Sequence, residues 1–295
     1  MAIWGSPPVV ARAVSGEVPP VALAFARWLL ALLVLLPFVW RKLRVEWPQL
    51  RLEWRSLTLL AAFMTAGSSL SVLAVYYTTA TNAVLVNASQ PAITAVIAWL
   101  VARDGLAPRQ GLGIACAFVG IIVMIVRADL GVLLTLDINI GDLIMLTAVV
   151  GWSLYAVYLH RREYVPSNEV LLFVIALIGT IILFPIYLIE ASVLGPFDVG
   201  TNVLSAIVYL ALFPTLLATL FWNLSLRSLG ANRAAIFVNL IPISGAALAM
   251  IFLGERLFAY HLFGAALVFS GIFLAVRRRP GAKPAADSIE EDTRS

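Results

Sequence analysis

Three polar residues, Asn87, Gln90 and Thr94, fall at i, i+3 and i+7 inside an apolar run, with Pro91 among them. That spacing puts their amide and hydroxyl groups on one helix face. The proline withholds a backbone N–H and frees a carbonyl. Such groups could exchange a solute's hydration shell for protein hydrogen bonds, or could tie neighbouring helices together. Thr215, Thr219, Trp222 and Asn223 repeat the pattern in a later run, and Ser68, Ser71 and Asn239 are further candidates, the last just before Pro242. Arg27 lies seven residues into another run, about 10 Å deep. Its guanidinium could fork onto a carboxylate, snorkel to the surface or cap carbonyls. Trp4, Trp152 and Tyr155 offer flat apolar faces, Tyr155 following Trp152 by one turn.

All of this is recognition chemistry. The single cysteine, Cys116, sits in an apolar run, no His-Glu-x-x-His run occurs, and no acidic pair falls inside an apolar run. The residues therefore point away from an enzyme and imply neither a metal nor a cofactor.

The elements that must position these groups are membrane spans. Of the 295 residues, 62% are hydrophobic and 12% charged, about half the roughly 25% charge of a soluble domain. Ten apolar runs are predicted as transmembrane helices: residues 1–14, 21–40, 56–77, 82–102, 109–126, 141–160, 169–189, 203–226, 232–253 and 260–276. Helices are required because hydrocarbon leaves no other partner for backbone polar groups. With both termini in the cytoplasm, 16 of the 20 Lys and Arg residues fall on the inside, and only Arg12, Arg127 and Arg256 lie toward the outside. That bias fits the positive-inside rule and explains the net charge of +4 without nucleic acid as a partner. The lipid bilayer and a small-molecule substrate are the expected partners, and oligomeric state is not legible. His160 and His261 are expected at the interface, as are Trp40, Trp47, Trp54 and Trp99.

The chain also repeats itself. A shift of 151 puts Pro91 on Pro242, Asp104 on Glu255, Gly113 on Gly264, Phe118 on Phe269 and Gly120 on Gly271, and a shift of 148 puts Trp4 on Trp152, Phe25 on Phe173 and Pro37 on Pro185. Residues 1–129 and 141–279 are thus read as two five-helix repeats, followed by a disordered cytoplasmic tail at 280–295. Five is odd, so the repeats must be inverted relative to each other, the plan of secondary transporters with a site between the halves. Eight fewer residues precede Trp4 than precede its counterpart in the second repeat. The first helix is therefore expected to be short, with a native start upstream.

Phe25-Ala26-Arg27, Asn139-Ile140-Gly141-Asp142-Leu143, and Pro242 followed by Leu253-Gly254-Glu255, Gly264 and Gly271 together resemble the EamA-type branch of the drug/metabolite transporter superfamily. The layout is similar to YddG-type exporters of aromatic amino acids. The resemblance implies a central cavity among helices 1, 3, 4, 6, 8 and 9, and an exporter in the bacterial inner (plasma) membrane. Arg103-Asp104-Gly105 departs from the Gly-Glu motif of the second repeat. Aromatic or apolar amino acids are the favoured cargo, other metabolites or drugs the alternative, and a non-transporting scaffold the rival. All 16 acidic residues fall in loops, the tail or span ends, so movement is expected to need no obligatory ion.

Overall fold

Long apolar runs leave the backbone no partner but itself, and helices result. The computed structural model describes residues 2–102, 108–129, 138–162, 164–221 and 240–276. The described helices are α1 (Ala2–Gly5), α2 (Pro7–Ala13), α3 (Pro20–Leu52), α4 (Trp54–Tyr77), α5 (Ala80–Asn87), α6 (Gln90–Ala102), α7 (Pro108–Ile125), α8 (Ile140–His160), α9 (Asn168–Leu194), α10 (Thr201–Leu210), α11 (Leu240–Leu253) and α12 (Ala259–Val276). A π-helical segment, Ala211–Leu217, prolongs α10. Among the described residues there is no strand.

Helices α3, α4, α7, α8 and α9 and the stretch Thr201–Phe221 are each long and apolar enough to cross a bilayer; α5 and α6 are so only when taken together, bent by 42° at the break between them, and α11 and α12 are shorter apolar helices. Large apolar side chains such as Phe38, Ile189, Phe252 and Phe263 point outward, where only lipid can cover them. The protein is an all-helical, multi-pass membrane protein.

Prolines account for most departures from straight spans. Residues 1–14, read as one helix, are two, because Pro7 and Pro8 carry no N–H for the carbonyls four residues back. The Ser6 hydroxyl donates to one of those, Ile3 O, at 2.8 Å. The fourth run breaks between Asn87 and Gln90, where Pro91 leaves the Asn87 carbonyl without its donor. Asn87 and Gln90 therefore belong to different helices, which corrects the single polar stripe, and Pro91 is exposed. In the eighth run Pro214 cannot donate to Leu210 O, and the Thr215 hydroxyl takes that carbonyl at 2.8 Å, within a π-helical turn. The segment Arg41–Leu52, expected as a loop, continues α3 as helix.

Helix pairs close on glycine. α7 packs along α12, α4 along α8, and α3 along α9. A Cβ on Gly120 would lie 2.6 Å from Gly264 O, and one on Gly271 would lie 2.6 Å from Ala117 N and press on Gly113 O. The small pair Gly113 and Ala117 thus acts in packing. α4 and α8 touch backbone to backbone, since a Cβ on Gly151 would sit 2.8 Å from Gly67 N. Phe25 stacks on Tyr187 at 4.9 Å between ring centroids, fastening α3 to α9.

Candidate functional site

Two carboxylates organise one end of the bundle. Glu190, in the last turns of α9, accepts from Val21 N (3.0 Å) and Ala22 N (2.7 Å) at the start of α3. Glu255 accepts from Ala80 N (2.9 Å) and Thr81 N (2.8 Å) at the start of α5. Each negative charge meets the unpaired N–H groups and positive dipole end of a helix. Gly254, at φ +65°, ends α11 in the left-handed region that glycine tolerates and so delivers Glu255 to its partner.

Beside Glu255 a polar chain crosses between helices. His261 Nδ1 accepts from Phe258 N (3.0 Å), which leaves the ring proton on Nε2 to donate to Asn82 Oδ1 (2.7 Å). The Asn82 amide nitrogen donates to both oxygens of Asp142 at 3.2 Å, and the Thr78 hydroxyl donates to Asp142 at 2.5 Å. Asp142 is 1% exposed and His261 3%. His261 is therefore buried in protein, a correction to its reading as an interface residue. At the same end the Tyr76 hydroxyl donates to Val18 O (2.7 Å) and Arg12 to Val75 O (2.8 Å). These bonds close that end.

The middle of the bundle holds the guanidinium. Arg27 is 4% exposed, donates through Nη2 to the Ser68 hydroxyl at 2.6 Å, and its Nε has no partner. It does not snorkel. Among the described residues it has no carboxylate partner; the ion pairs are Lys42 with Glu169 and Arg162 with Glu53. Next to Ser68, Gly67 gives the Trp152 ring its seat: a Cβ there would stand 2.9 Å from Trp152 Cδ1. Tyr155 meets Trp152 edge-on at 6.5 Å. Thr94 donates to Ser153 Oγ at 2.9 Å, and that hydroxyl reaches Gln90 O at 3.5 Å.

The other predicted residues are placed as follows. The Trp4 indole donates to Pro214 O at 3.1 Å, so it lies against the π-helical turn rather than against Trp152. Ser71 bonds back to Gly67 O of its own helix at 2.7 Å. Asn87 and Thr219 are half-buried, and Thr215 is spent on its own helix. Trp222, Asn223 and Asn239 lie outside the described residues, as does the tail 280–295. Arg27 is thus bonded to Ser68 of α4, and Ser68's neighbour Gly67 seats Trp152 of α8, which meets Tyr155. Sequence reasoning missed Thr78, Asn82 and Ser153 as network members; the Asn139-to-Leu143 motif contained Asp142, but no spacing linked it to His261 across 119 positions.

At the opposite end, where α3, α6 and α8 finish, a cavity of about 470 Å³ opens among Gln49, Glu53, Ser56, Tyr158, Arg161 and Arg162. Arg162 bridges Ser56, Glu53 (3.2 Å) and Tyr164 O (3.0 Å). The Tyr164 phenol, which donates to Glu46 at 3.1 Å, is held above its ordinary pKa by burial and then by that carboxylate. One end of the bundle is laced by side-chain hydrogen bonds, an arginine and aromatic rings lie deeper among the helices, and a polar cavity opens at the other end.

The EamA-like transporter family profile matches residues 1–126 and 139–277. The chain belongs to the EamA-like transporter family. Its relatives include the uncharacterized transporter YyaM of Bacillus subtilis, 29% identical over 201 residues, covering 68% of this chain and 65% of that protein. An Archaeoglobus fulgidus transporter, itself uncharacterized, is 27% identical over 280 residues, 95% of each chain. A probable amino-acid metabolite efflux pump of Salmonella typhimurium is 25% identical over 288 residues, 93% of this chain and 91% of that protein. A crystal structure of a protein 20% identical covers 93% of both chains with a TM-score of 0.60, a likeness of fold. The family makes this protein a transporter, and its long apolar helices place it in a membrane.

Proposed function

We propose that the protein exports amino acids and related small metabolites by alternating access, with the cargo's carboxylate held by Arg27 and an aromatic or apolar side chain lying against Trp152 and Tyr155. The observation that carries this reading is the buried Arg27, bonded to Ser68 and without a carboxylate partner among the described residues. A charge inside a span is costly and marks a functional position, and a guanidinium matches a carboxylate by a forked pair of bonds. The name of the Salmonella typhimurium relative supplies the cargo class.

The proposed framework is ten spans in two inverted repeats, 1–129 and 141–279. Its support is a set of reciprocal contacts, the mark of a two-fold relation. Gly120 meets Gly264 while Gly113 meets Gly271, and Gly113 and Gly120 are the repeat counterparts of Gly264 and Gly271. Ser153 meets Thr94 and Gln90 O, while its counterpart Gly5 meets Gly245 and Ile241 O. Trp152 and its counterpart Trp4 each lie against the third helix of the opposite half. The closed end, with Glu190 and Glu255, faces outward; the cavity lined by Arg161 and Arg162 faces the cytoplasm, as do both termini, in the plasma membrane of a bacterium. Export then begins from this inward-open arrangement and requires the Asp142–Asn82–His261 chain to part.

Proteoliposomes test the reading with the full chain. Vesicles preloaded with unlabelled amino acids are expected to take up a radiolabelled amino-acid mixture faster than protein-free vesicles. Equal rates would overturn it.

A further inference from the structure

From the basic end of α3 we infer a binding surface for anionic phospholipid. Helix α3 is 33 residues long, about 50 Å, whereas about 20 residues suffice to cross the hydrocarbon. The crossing that starts at Pro20 is therefore complete near Trp40, and the helix runs on through Leu52. In that extension Trp40, Arg44, Trp47 and Arg51 follow one another at spacings of 4, 3 and 4, a single helix stripe. Trp54 and Arg55 follow at the start of α4, beyond the break at Glu53. All six side chains are exposed.

Charge on this segment is sorted by face. Its acidic residues are turned to the protein: Glu46 accepts from the Tyr164 hydroxyl and Ser167 N, both at 3.1 Å, and Glu53 pairs with Arg162 at 3.2 Å. Lys42 is neutralised by Glu169 at 3.1 Å. Arg41, Arg44, Arg51 and Arg55 are left exposed, with no acidic partner among the described residues. Arg44 lies over the Trp40 ring at 4.9 Å and Arg55 over the Trp54 ring at 5.5 Å. Indoles settle at the headgroup level, and a guanidinium held on such a ring sits at phosphate depth. A cluster of arginines beside a span attracts anionic headgroups, and the interleaved tryptophans anchor it in the same plane. A positive-inside bias needs only charge; it requires neither the tryptophan register nor the engagement of every acidic residue with the protein on the opposite face.

Native mass spectrometry of the purified full chain, titrated with phosphatidylglycerol or phosphatidylcholine of the same acyl chains, tests this. Retention of the anionic lipid is expected to exceed that of the zwitterionic lipid at least about fivefold, to survive added inorganic phosphate, and to fall to near parity in the Arg41→Gln, Arg44→Gln, Arg51→Gln, Arg55→Gln variant. Equal retention of both lipids by the unmodified chain, displacement by phosphate, or an undiminished preference in the variant would overturn it. If the variant fails to insert, the unmodified chain decides: raising salt from about 50 to about 500 mM should erode the preference, and a salt-insensitive preference would count against the inference.

Discussion

Cys116 in α7 donates to the carbonyl of Leu267 in α12 at 3.5 Å, and the two residues are 151 positions apart, the interval that superposes the halves of the sequence. Counterparts that meet each other lie on the axis relating them. The flanking glycines obey the same relation, so in the proposed two-repeat framework this seam lies on the axis between the halves.

Gly264→Ala should therefore lower thermal stability. The added methyl would meet Gly120 O at 2.9 Å and press on the Met124 side chain, an overpacking that costs about 1–3 kcal/mol. Gly111→Ala, with nothing within 4 Å of the new methyl, is the control. Thermal unfolding in detergent should show a drop of several degrees for the first and none for the second; equal melting temperatures would contradict the seam.

Trp152→Ala removes one ring of the edge-on pair with Tyr155, a contact worth about 0.5–1.5 kcal/mol. Transport of phenylalanine and tryptophan should fall several-fold more than transport of small polar amino acids, at a nearly unchanged melting temperature. Equal losses for all substrates with a large fall in stability would assign Trp152 to packing against Gly67.

How far the sequence reached depends on whether a feature is local. Six long spans were legible because hydrophobic length alone decides them, and the fixed interval of Gly113, Gly120, Gly264 and Gly271 is what suggests the proposed repeat. Breaks at Ser6 and at Ala88–Ser89 were less so, since a proline says that a hydrogen bond is lost but not whether the helix bends or finds a substitute donor, as Thr215 does. Arg27 and Ser68 were both named from sequence; their bond was not, because it joins two helices. The Asp142, Asn82 and His261 network escaped for the same reason, its members lying on α8, α5 and α12.

That network should act as the outer closure. Asn82→Leu removes the bridge between His261 and Asp142, and each buried group left without a partner costs about 1–3 kcal/mol. In a Cys116→Ala background carrying Ser68→Cys, an impermeant thiol reagent added from outside should label the Asn82→Leu protein faster than its parent. Unchanged labelling would mean the closure lies elsewhere.

Ion coupling is expected to be absent. Asp142 is engaged by Thr78 and Asn82, Glu190 and Glu255 cap helices, and Arg27 meets Ser68 rather than a carboxylate. Counterflow in sodium-free buffer with equal pH on both sides should match that under an imposed pH difference. Accumulation of substrate against its own gradient, driven by pH, would contradict this.

The most direct test of the proposed cargo site is counterflow of radiolabelled phenylalanine in proteoliposomes containing the unmodified chain or Arg27→Gln, with phenethylamine, which lacks the carboxylate, as competitor. The unmodified protein should exchange phenylalanine and ignore phenethylamine, and Arg27→Gln should lose at least about tenfold in rate, equivalent to about 1.4 kcal/mol, while keeping its fold by circular dichroism. Full exchange by a folded Arg27→Gln protein, or competition by phenethylamine as strong as by phenylalanine, would contradict a carboxylate held at Arg27.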